Sequence, residues 1–141
     1  MRYCAYQERC RQEVKQKMRN LDVMDDDQED MLLYLEEEGF LDEKRFARVF
    51  AGGKFRVKRW GKRKIFVALR KKAIPESYIS KAFASEIPDK DYLSAVDYLA
   101  ERYIEQHKHL SAFERKKKVY QFLSQKGYEA DIIWQVLDPD D

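Results

Sequence analysis

A run of basic residues in the middle of the chain has the clearest chemical meaning in this sequence. Residues 44–75 contain thirteen Lys and Arg residues and no Asp or Glu. Such a segment cannot neutralise its own charge through pairs one helical turn apart, as a solvated helix face ordinarily does. Because Lys and Arg side chains bind phosphates and other anionic groups, the segment predicts a surface that binds a polyanion.

The candidate contact residues are ten cations between positions 54 and 72. They are Lys54, Arg56, Lys58, Arg59, Lys62, Arg63, Lys64, Arg70, Lys71 and Lys72. Phe55 and Trp60 lie among them, and aromatic rings between cations are typical of surfaces on which bases stack. The two rings could equally be core residues, which is the interpretation we favour. Residues 116–118 form a second, smaller lysine cluster, for which we favour a plain solvated helix face.

The segment before the basic run has the opposite charge. Residues 22–43 contain eleven acidic residues and no Lys or Arg, although the whole chain carries a net charge of only +2. Two interpretations follow. The acidic segment could fold against the basic one and neutralise it, or the basic surface could remain open to a partner. The sequence leaves both open.

Other kinds of chemistry find little support in the sequence. Cys4 and Cys10 are six residues apart, about 240° around a helix, so we expect two reduced thiols and neither a disulfide nor a shared metal. His107 and His109 have no neighbouring Cys or acidic cluster to complete a zinc site. Residues 36–38 are adjacent acids that point in different directions on a helix. No nucleophile–histidine motif is recognisable, so we expect a protein without a cofactor and without enzymatic activity.

Composition favours a helical protein. The 141 residues are 44% apolar and include only five Gly and three Pro, whereas sandwiches and barrels use many of both in their turns. No stretch approaches the roughly 20 apolar residues of a membrane span, and the N-terminus lacks the pattern of a secretory signal. We therefore expect an all-α protein in the cytoplasm.

Helix boundaries are marked along the chain. Gly39, Gly61 and Gly127 are candidate breaks, and Asp42 and Ser111 are candidate N-caps. Residues 7–19 read as a first helix. Residues 52–53, a Gly-Gly pair inside the helix that follows Asp42, predict a kink or the close approach of a partner backbone.

One pattern recurs three times: two apolar residues four apart, then a small or polar residue and an apolar one. The copies are Val14, Met18, Asp22 and Val23; Ile65, Leu69, Ala73 and Ile74; and Val119, Leu123, Gly127 and Tyr128. Their offsets of 51 and 54 residues predict tandem three-helix repeats of about 50 residues, stacked into an elongated, curved array. We expect a shortened first repeat over 1–41, a basic second repeat over 42–87, and a third over 88–141 with an acidic tail.

The strongest similarity to a known family lies over residues 35–74. The segments Leu35-Glu-Glu-Glu-Gly-Phe-Leu-Asp-Glu-Lys-Arg-Phe-Ala47, Trp60-Gly-Lys-Arg-Lys-Ile65 and Leu69-Arg-Lys-Lys-Ala-Ile74 resemble the RecX family of bacterial modulators of the RecA recombinase. The resemblance extends, more loosely, over about residues 5–137. Ala73 stands where the family often has glycine, and the helix that usually opens the first repeat is reduced to a stub near residues 3–6.

This resemblance implies a non-enzymatic regulator with tandem three-helix repeats, and we expect the protein to be a monomer. Such proteins lie in the groove of the RecA–single-stranded DNA filament and typically oppose its growth, ATP hydrolysis and coprotease action. Two alternatives remain. The chain could be a helical module that binds DNA directly, with the helix after Gly61 entering a groove, or a scaffold whose two charged segments merely satisfy each other.

Overall fold

A computed structural model of the chain describes residues 3, 4 and 7–138. Eight helices of eight or more residues occur in these ranges, and no strand. They are α1 (Arg11–Asn20), α2 (Asp25–Glu37), α3 (Glu43–Lys58), α4 (Lys62–Lys71), α5 (Glu76–Glu86), α6 (Asp89–Gln106), α7 (Ala112–Lys126) and α8 (Ala130–Leu137). The all-α prediction is confirmed.

The helices pack in three sets along the chain: α1 with α2, α3 with α4 and α5, and α6 with α7 and α8. We call these sets unit 1, unit 2 and unit 3. Unit 1 has its own small core around Val14, Met18, Leu32 and Leu35. Units 2 and 3 share one larger core, which Cys10 also joins from the start of unit 1. The three units therefore form a helical repeat array with two cores.

The middle helices α1, α4 and α7 confirm the repeat pattern at the level of backbone geometry. The third position of the pattern is left-handed in each copy, with φ of 57° at Asp22, 61° at Ala73 and 103° at Gly127. The next amide N–H then donates to a carbonyl five residues back, as from Ile74 to Leu69 at 3.1 Å. This is the C-terminal cap that ends many helices, and it explains why a small or polar residue recurs there.

Several local predictions are confirmed. Asp42 caps α3 by accepting from the Arg45 amide at 3.0 Å, and Ser111 caps α7 by accepting from the Glu114 amide at 3.2 Å. Gly39 and Gly127 follow helix ends with positive φ, and Gly61 is the N-cap of α4. Phe55 is a core residue.

One local prediction is wrong, and another is tested only in part. The first helix begins at Arg11 and not near residue 7, because Cys10 is extended and serves as its N-cap. The helix α3 continues unbroken through residues 52–53. A Cβ at Gly52 would lie 2.4 Å from the guanidinium of Arg56, one turn later in the same helix, and one at Gly53 would meet nothing within 4 Å. The close neighbour of Gly52 within the chain is therefore a side chain of its own helix, and the kink stays a prediction.

The predicted boundaries at 41/42 and 87/88 fall between units, and as domain limits they stay predictions. Tyr3 and Cys4 are helical, whereas residues 5 and 6 of the predicted stub lie outside the described residues. Of the predicted acidic tail, Asp138 is described and pairs with Lys116; residues 139–141 lie outside. Within the described part of the chain, no helix combines the length and apolar character needed to span a membrane.

Candidate polyanion-binding surface

The connection between α3 and α4 sets the direction of the basic segment. Arg59 adopts a left-handed conformation with φ of 57°, which ends α3, and Gly61 then begins α4. The carbonyl of Arg59 accepts a hydrogen bond from the Tyr128 hydroxyl at 2.9 Å, and that of Lys58 accepts one from the Lys126 ammonium at 3.1 Å. Unit 3 therefore holds the turn that carries the densest run of cations.

The start of α4 is seated against the end of α7. The amide N–H of Gly61 donates to the carbonyl of Lys126 at 2.8 Å, and that of Arg63 donates to the carbonyl of Gly127 at 2.9 Å. A Cβ added to Gly61 would lie 2.3 Å from the carbonyl carbon of Gly127, so only glycine permits this approach. The amide N–H of Lys62 donates to the Tyr92 hydroxyl at 2.9 Å. The free N–H groups that a helix start leaves are thus largely satisfied by unit 3.

The charge at this helix start runs against the ordinary rule. Carboxylates are favoured at a helix N-terminus because of the helix dipole, but the first turn of α4 carries Lys62, Arg63 and Lys64 and no acid. The nearby end of α7 supplies partial negative charge through its carbonyls. The arrangement still concentrates positive potential at one place, at a cost to the fold, as functional surfaces often do.

Most of the ten candidate cations are available to a partner. Within the described residues, Lys62 pairs with Asp89 at 3.9 Å and Lys72 pairs with Glu13 at 2.9 Å. The other eight lie within 4 Å of no described carboxylate. Of these eight, seven are exposed and Lys54 is half-buried.

The acidic segment does not neutralise the basic one. No Lys or Arg of residues 44–75 forms an ion pair with a carboxylate of residues 22–43, two segments that the structure describes in full. Glu29 and Glu36 of α2 pair instead with Arg11 and Lys15 of α1, inside unit 1. The interpretation in which the two segments satisfy each other therefore finds no support in the ion pairs.

The ten cations do not form one flat patch. Arg56 and Arg59 do not line the groove described below, and the Arg56 guanidinium lies over Gly52. The guanidinium of Arg59 stacks on the ring of Tyr98, 4.3 Å from its centroid. Arg102 donates to the Tyr98 hydroxyl at 2.6 Å, and this hydrogen bond lowers the pKa of the phenol. The cluster of Arg59, Tyr98 and Arg102 bridges units 2 and 3.

A second group of cations lines a groove between α4 and the end of α7. We call it the α4–α7 groove; its lining residues are Trp60, Arg63, Lys64, Val67, Ala68, Lys71, Ser124, Gln125 and Gly127. Three of the ten predicted cations therefore come together here, around one aromatic ring. The ammonium groups of Lys54 and Lys64 lie 4.9 Å and 4.6 Å from the centroid of Trp60.

Sequence reasoning missed the residues that unit 3 contributes. Ser124 and Gln125 carry no charge and lie far along the chain from the basic segment. Tyr92 lies in the core, where burial and its hydrogen bond with Glu129 raise its hydroxyl pKa, and this hydroxyl positions the start of α4. The repeat pattern held one indication, since it places Gly127 at a helix end that a neighbouring unit could meet.

Comparisons with known proteins agree with this architecture. Residues 42–82 match a family profile described as "RecX, second three-helix domain", and residues 89–137 match one described as "RecX, third three-helix domain". The chain belongs to the RecX family. Its relatives in this family are named "Regulatory protein RecX". The resemblance seen in the sequence is thereby confirmed.

Individual RecX proteins share a modest fraction of residues with the chain. The RecX of Prosthecochloris aestuarii is 29% identical over 138 residues, which cover 96% of this chain and 87% of the relative. That of Bacillus licheniformis is 27% identical over 139 residues, covering 99% of this chain and 52% of the relative. The chain therefore spans about half the length of some curated relatives it matches.

The fold agrees with that of solved RecX structures. The crystal structure of RecX from Lactobacillus salivarius superposes with a TM-score of 0.88 at 27% identity, over 97% of this chain and 88% of that one. A second structure, of regulatory protein RecX, superposes with a TM-score of 0.87 at 22% identity and supports the fold alone.

Proposed function

We propose that this RecX-family protein binds the RecA–single-stranded DNA filament and inhibits the recombinase, ATPase and coprotease activities of RecA. Membership of a family of regulatory proteins supports a regulatory role. The observation that carries the proposal is the set of eight candidate cations with no described carboxylate partner. They lie on α3, on the turn after it and on α4, and unit 3 fixes that turn in place.

The mechanism would be electrostatic and geometric. The repeat array supplies a preformed surface, and the cations of residues 54–72 supply attraction to phosphate or to an acidic filament surface. Cations that neutralise phosphates release counterions, so affinity falls steeply as salt rises. No base-reading motif is recognisable, so recognition would follow shape and charge. We further propose that the protein acts in the cytoplasm as a monomer, without catalysis of its own.

The test is a RecA ATPase assay on single-stranded DNA at two salt concentrations, with and without the protein. We expect inhibition that weakens at the higher salt. Arg63→Glu with Lys71→Glu should abolish most of it, because both side chains are exposed and unpaired. Lys81→Glu with Lys90→Glu makes the same charge change at exposed positions outside the candidate set and should inhibit normally. An unchanged ATPase rate at stoichiometric wild-type protein would overturn the proposal.

The alternative is a module that binds DNA directly through α4 as a recognition helix. Recognition helices of this kind contact bases with their N-terminal residues. The N-terminal turn of α4 is instead hydrogen-bonded to Lys126, Gly127 and Tyr92. These hydrogen bonds are made by backbone amides and leave Arg63 and Lys64 exposed. What disfavours insertion of α4 into a major groove is the end of α7, which lies against this turn. Equal or higher affinity for naked duplex DNA than for the filament would favour the alternative.

A further inference from the structure

We infer that the α4–α7 groove binds unpaired nucleotides of a single-stranded nucleic acid, with a base on Trp60 and the flanking phosphates on Arg63, Lys64 and Lys71. The inference rests on the proposed function and deepens it, because it assigns direct contact with the strand to one groove. The sequence raised base stacking on Phe55 or Trp60 only in general terms, and it did not indicate which cations share a site with either ring.

The lining of the groove has two chemical characters. Its apolar part consists of Trp60, Ala68 and Val67, and Val67 is 52% exposed although it lies on the inner wall. Its cationic part consists of three side chains that pair with no described carboxylate. Proteins that bind single-stranded nucleic acids combine aromatic faces with uncompensated cations, because every base has a π-face and every phosphodiester linkage carries a negative charge.

The state of Trp60 supports this assignment. The ring is half-buried, and the ammonium groups of Lys54 and Lys64 lie within 5 Å of its centroid. Two like charges near one ring repel each other, and neither has a carboxylate within 4 Å. A phosphate beside the ring would relieve that repulsion, and the ammonium groups could turn toward it and leave a ring face to a base.

The opposite wall adds groups that form hydrogen bonds without carrying charge. Ser124 and Gln125 lie in the last turn of α7 and face α4 across the groove. A hydroxyl and an amide can serve base edges or sugar oxygens of any sequence. A duplex hides its base faces in the stack, so the apolar part of the groove favours an unpaired strand over a duplex. An acidic protein surface would use the cations but leave Trp60 without a partner.

Backbone contacts hold the two walls of the groove together. The glycine contact between residues 61 and 127 and the two backbone hydrogen bonds join its walls directly. In the alignment of the repeats, the equivalent positions of unit 1 lie 51 residues earlier and have uncharged side chains. Arg63, Val67 and Lys71 correspond to Gln12, Gln16 and Asn20. We therefore use Gln and Asn, the residues of unit 1, to replace Arg63 and Lys71 in the test below.

The experiment measures Trp60 fluorescence in the full chain carrying Trp134→Phe, because Trp134 is the second tryptophan and lies on α8. Titration with a 20-nucleotide oligothymidylate should quench the emission. Heparin, a polyanion without bases, and poly-glutamate should bind without comparable quenching, and a 20-base-pair duplex should bind more weakly. Binding of each probe is followed in parallel by anisotropy or by competition, so that binding and quenching are recorded separately.

Two variants test the two halves of the groove. Trp60→Ala should weaken oligothymidylate binding about tenfold, the effect of losing one stacked base, and leave heparin binding nearly unchanged. Arg63→Gln with Lys71→Asn should reduce the salt slope of binding by about 1.4, since each phosphate contact contributes about 0.7 on a single strand. The control, Lys81→Gln with Lys90→Asn, removes two exposed charges elsewhere and should leave the slope nearly unchanged. Circular dichroism checks the helicity of each variant, and Trp60→Phe, which keeps an aromatic ring, should bind nearly as well as the wild type.

The outcomes separate this inference from the proposed function. Oligothymidylate binding with no change in Trp60 emission would overturn the groove assignment and leave the RecA proposal standing. Equal quenching by heparin and oligothymidylate, or a larger response to poly-glutamate, would overturn base stacking and indicate a purely ionic or protein-binding surface. Quenching together with an unaffected RecA ATPase would support the groove and refute the filament proposal.

Discussion

The two junctions of this array join equivalent helices by different means. At the junction of units 2 and 3, α4 begins against the end of α7 through a glycine pair, two backbone hydrogen bonds and the hydroxyls of Tyr92 and Tyr128. At the junction of units 1 and 2, Cys10 and Ala73 stand at the positions of Gly61 and Gly127. Side chains that carry charge replace the backbone contacts there.

The first junction relies on carboxylates. Glu43 accepts from the Arg11 amide at 3.2 Å, Glu13 pairs with Lys72 at 2.9 Å, and Glu8 pairs with Arg45. Cys10 is fully buried beside them, and burial raises the pKa of its thiol to about 11. Ion pairs of this kind are weakened by salt, whereas backbone hydrogen bonds in a shared core are not. The comparison teaches that backbone contacts join units 2 and 3, whereas unit 1 is attached by buried Cys10 together with ion pairs that salt can weaken.

The largest expected change in the free energy of unfolding comes from adding a methyl group where Gly61 and Gly127 meet. In Gly127→Ala the added Cβ would lie 2.4 Å from the Lys64 Cβ and 2.7 Å from its amide nitrogen, at a φ of 103°. Overpacking and the strained backbone together should lower the free energy of unfolding by roughly 3 kcal/mol or more. Urea unfolding followed by circular dichroism measures it. A variant as stable as the wild type would break the claim that this contact holds the junction.

A smaller decrease in the free energy of unfolding is expected from Tyr92→Phe. The substitution keeps the ring but removes the hydroxyl that accepts from the Lys62 amide. A buried donor left without a partner costs about 1–3 kcal/mol, and we expect about 2 kcal/mol in the same unfolding experiment. Tyr120→Phe is the matched control, because the described contacts of Tyr120 are made by its ring and not by its hydroxyl. Losses of equal size in the two variants would contradict the role given to Tyr92.

At the first junction we expect a substitution that increases the free energy of unfolding. Ala73 has a φ of 61°, a conformation that costs an alanine about 1–2 kcal/mol. Ala73→Gly should relieve that strain, less the entropy that glycine adds to the unfolded chain, for a net gain of about 0.5–1 kcal/mol. Differential scanning calorimetry of the variant beside Gly127→Ala compares the two positions directly. A loss of stability in Ala73→Gly would show that the alanine methyl group contributes packing here.

The smallest contribution to stability is expected from the ion pair between Glu13 and Lys72. A double-mutant cycle with Glu13→Gln and Lys72→Met should give a coupling free energy of about 0.5 kcal/mol at low salt, because both side chains remain partly exposed. The coupling should shrink toward zero in 1 M NaCl, where the Debye length is about 3 Å. A coupling that salt does not change would mean that the first junction is as well shielded as the second.

The sequence by itself determined the helices, their caps and the threefold pattern. Asp42, Ser111 and the residues at the left-handed positions act through their own backbone neighbours, so their effect is local and readable along the chain. The concentration of cations in residues 44–75 was equally visible. The Gly-Gly pair at residues 52–53 was not readable in this way, because a glycine inside a helix has several possible causes and the neighbour of Gly52 within the chain is the side chain of Arg56.

Only the tertiary structure decided which charges meet. Glu29 and Glu36 of the acidic segment pair within unit 1. Of the ten cations, Arg59 joins the Tyr98 cluster and three others line the α4–α7 groove, whose second wall comes from residues some 60 positions away. The net charge of a segment can be counted from its sequence. Ion pairs and grooves depend instead on the distances between helices that are remote in sequence. The contact between Gly61 and Gly127 sets those distances, and a sequence read along its length does not contain them.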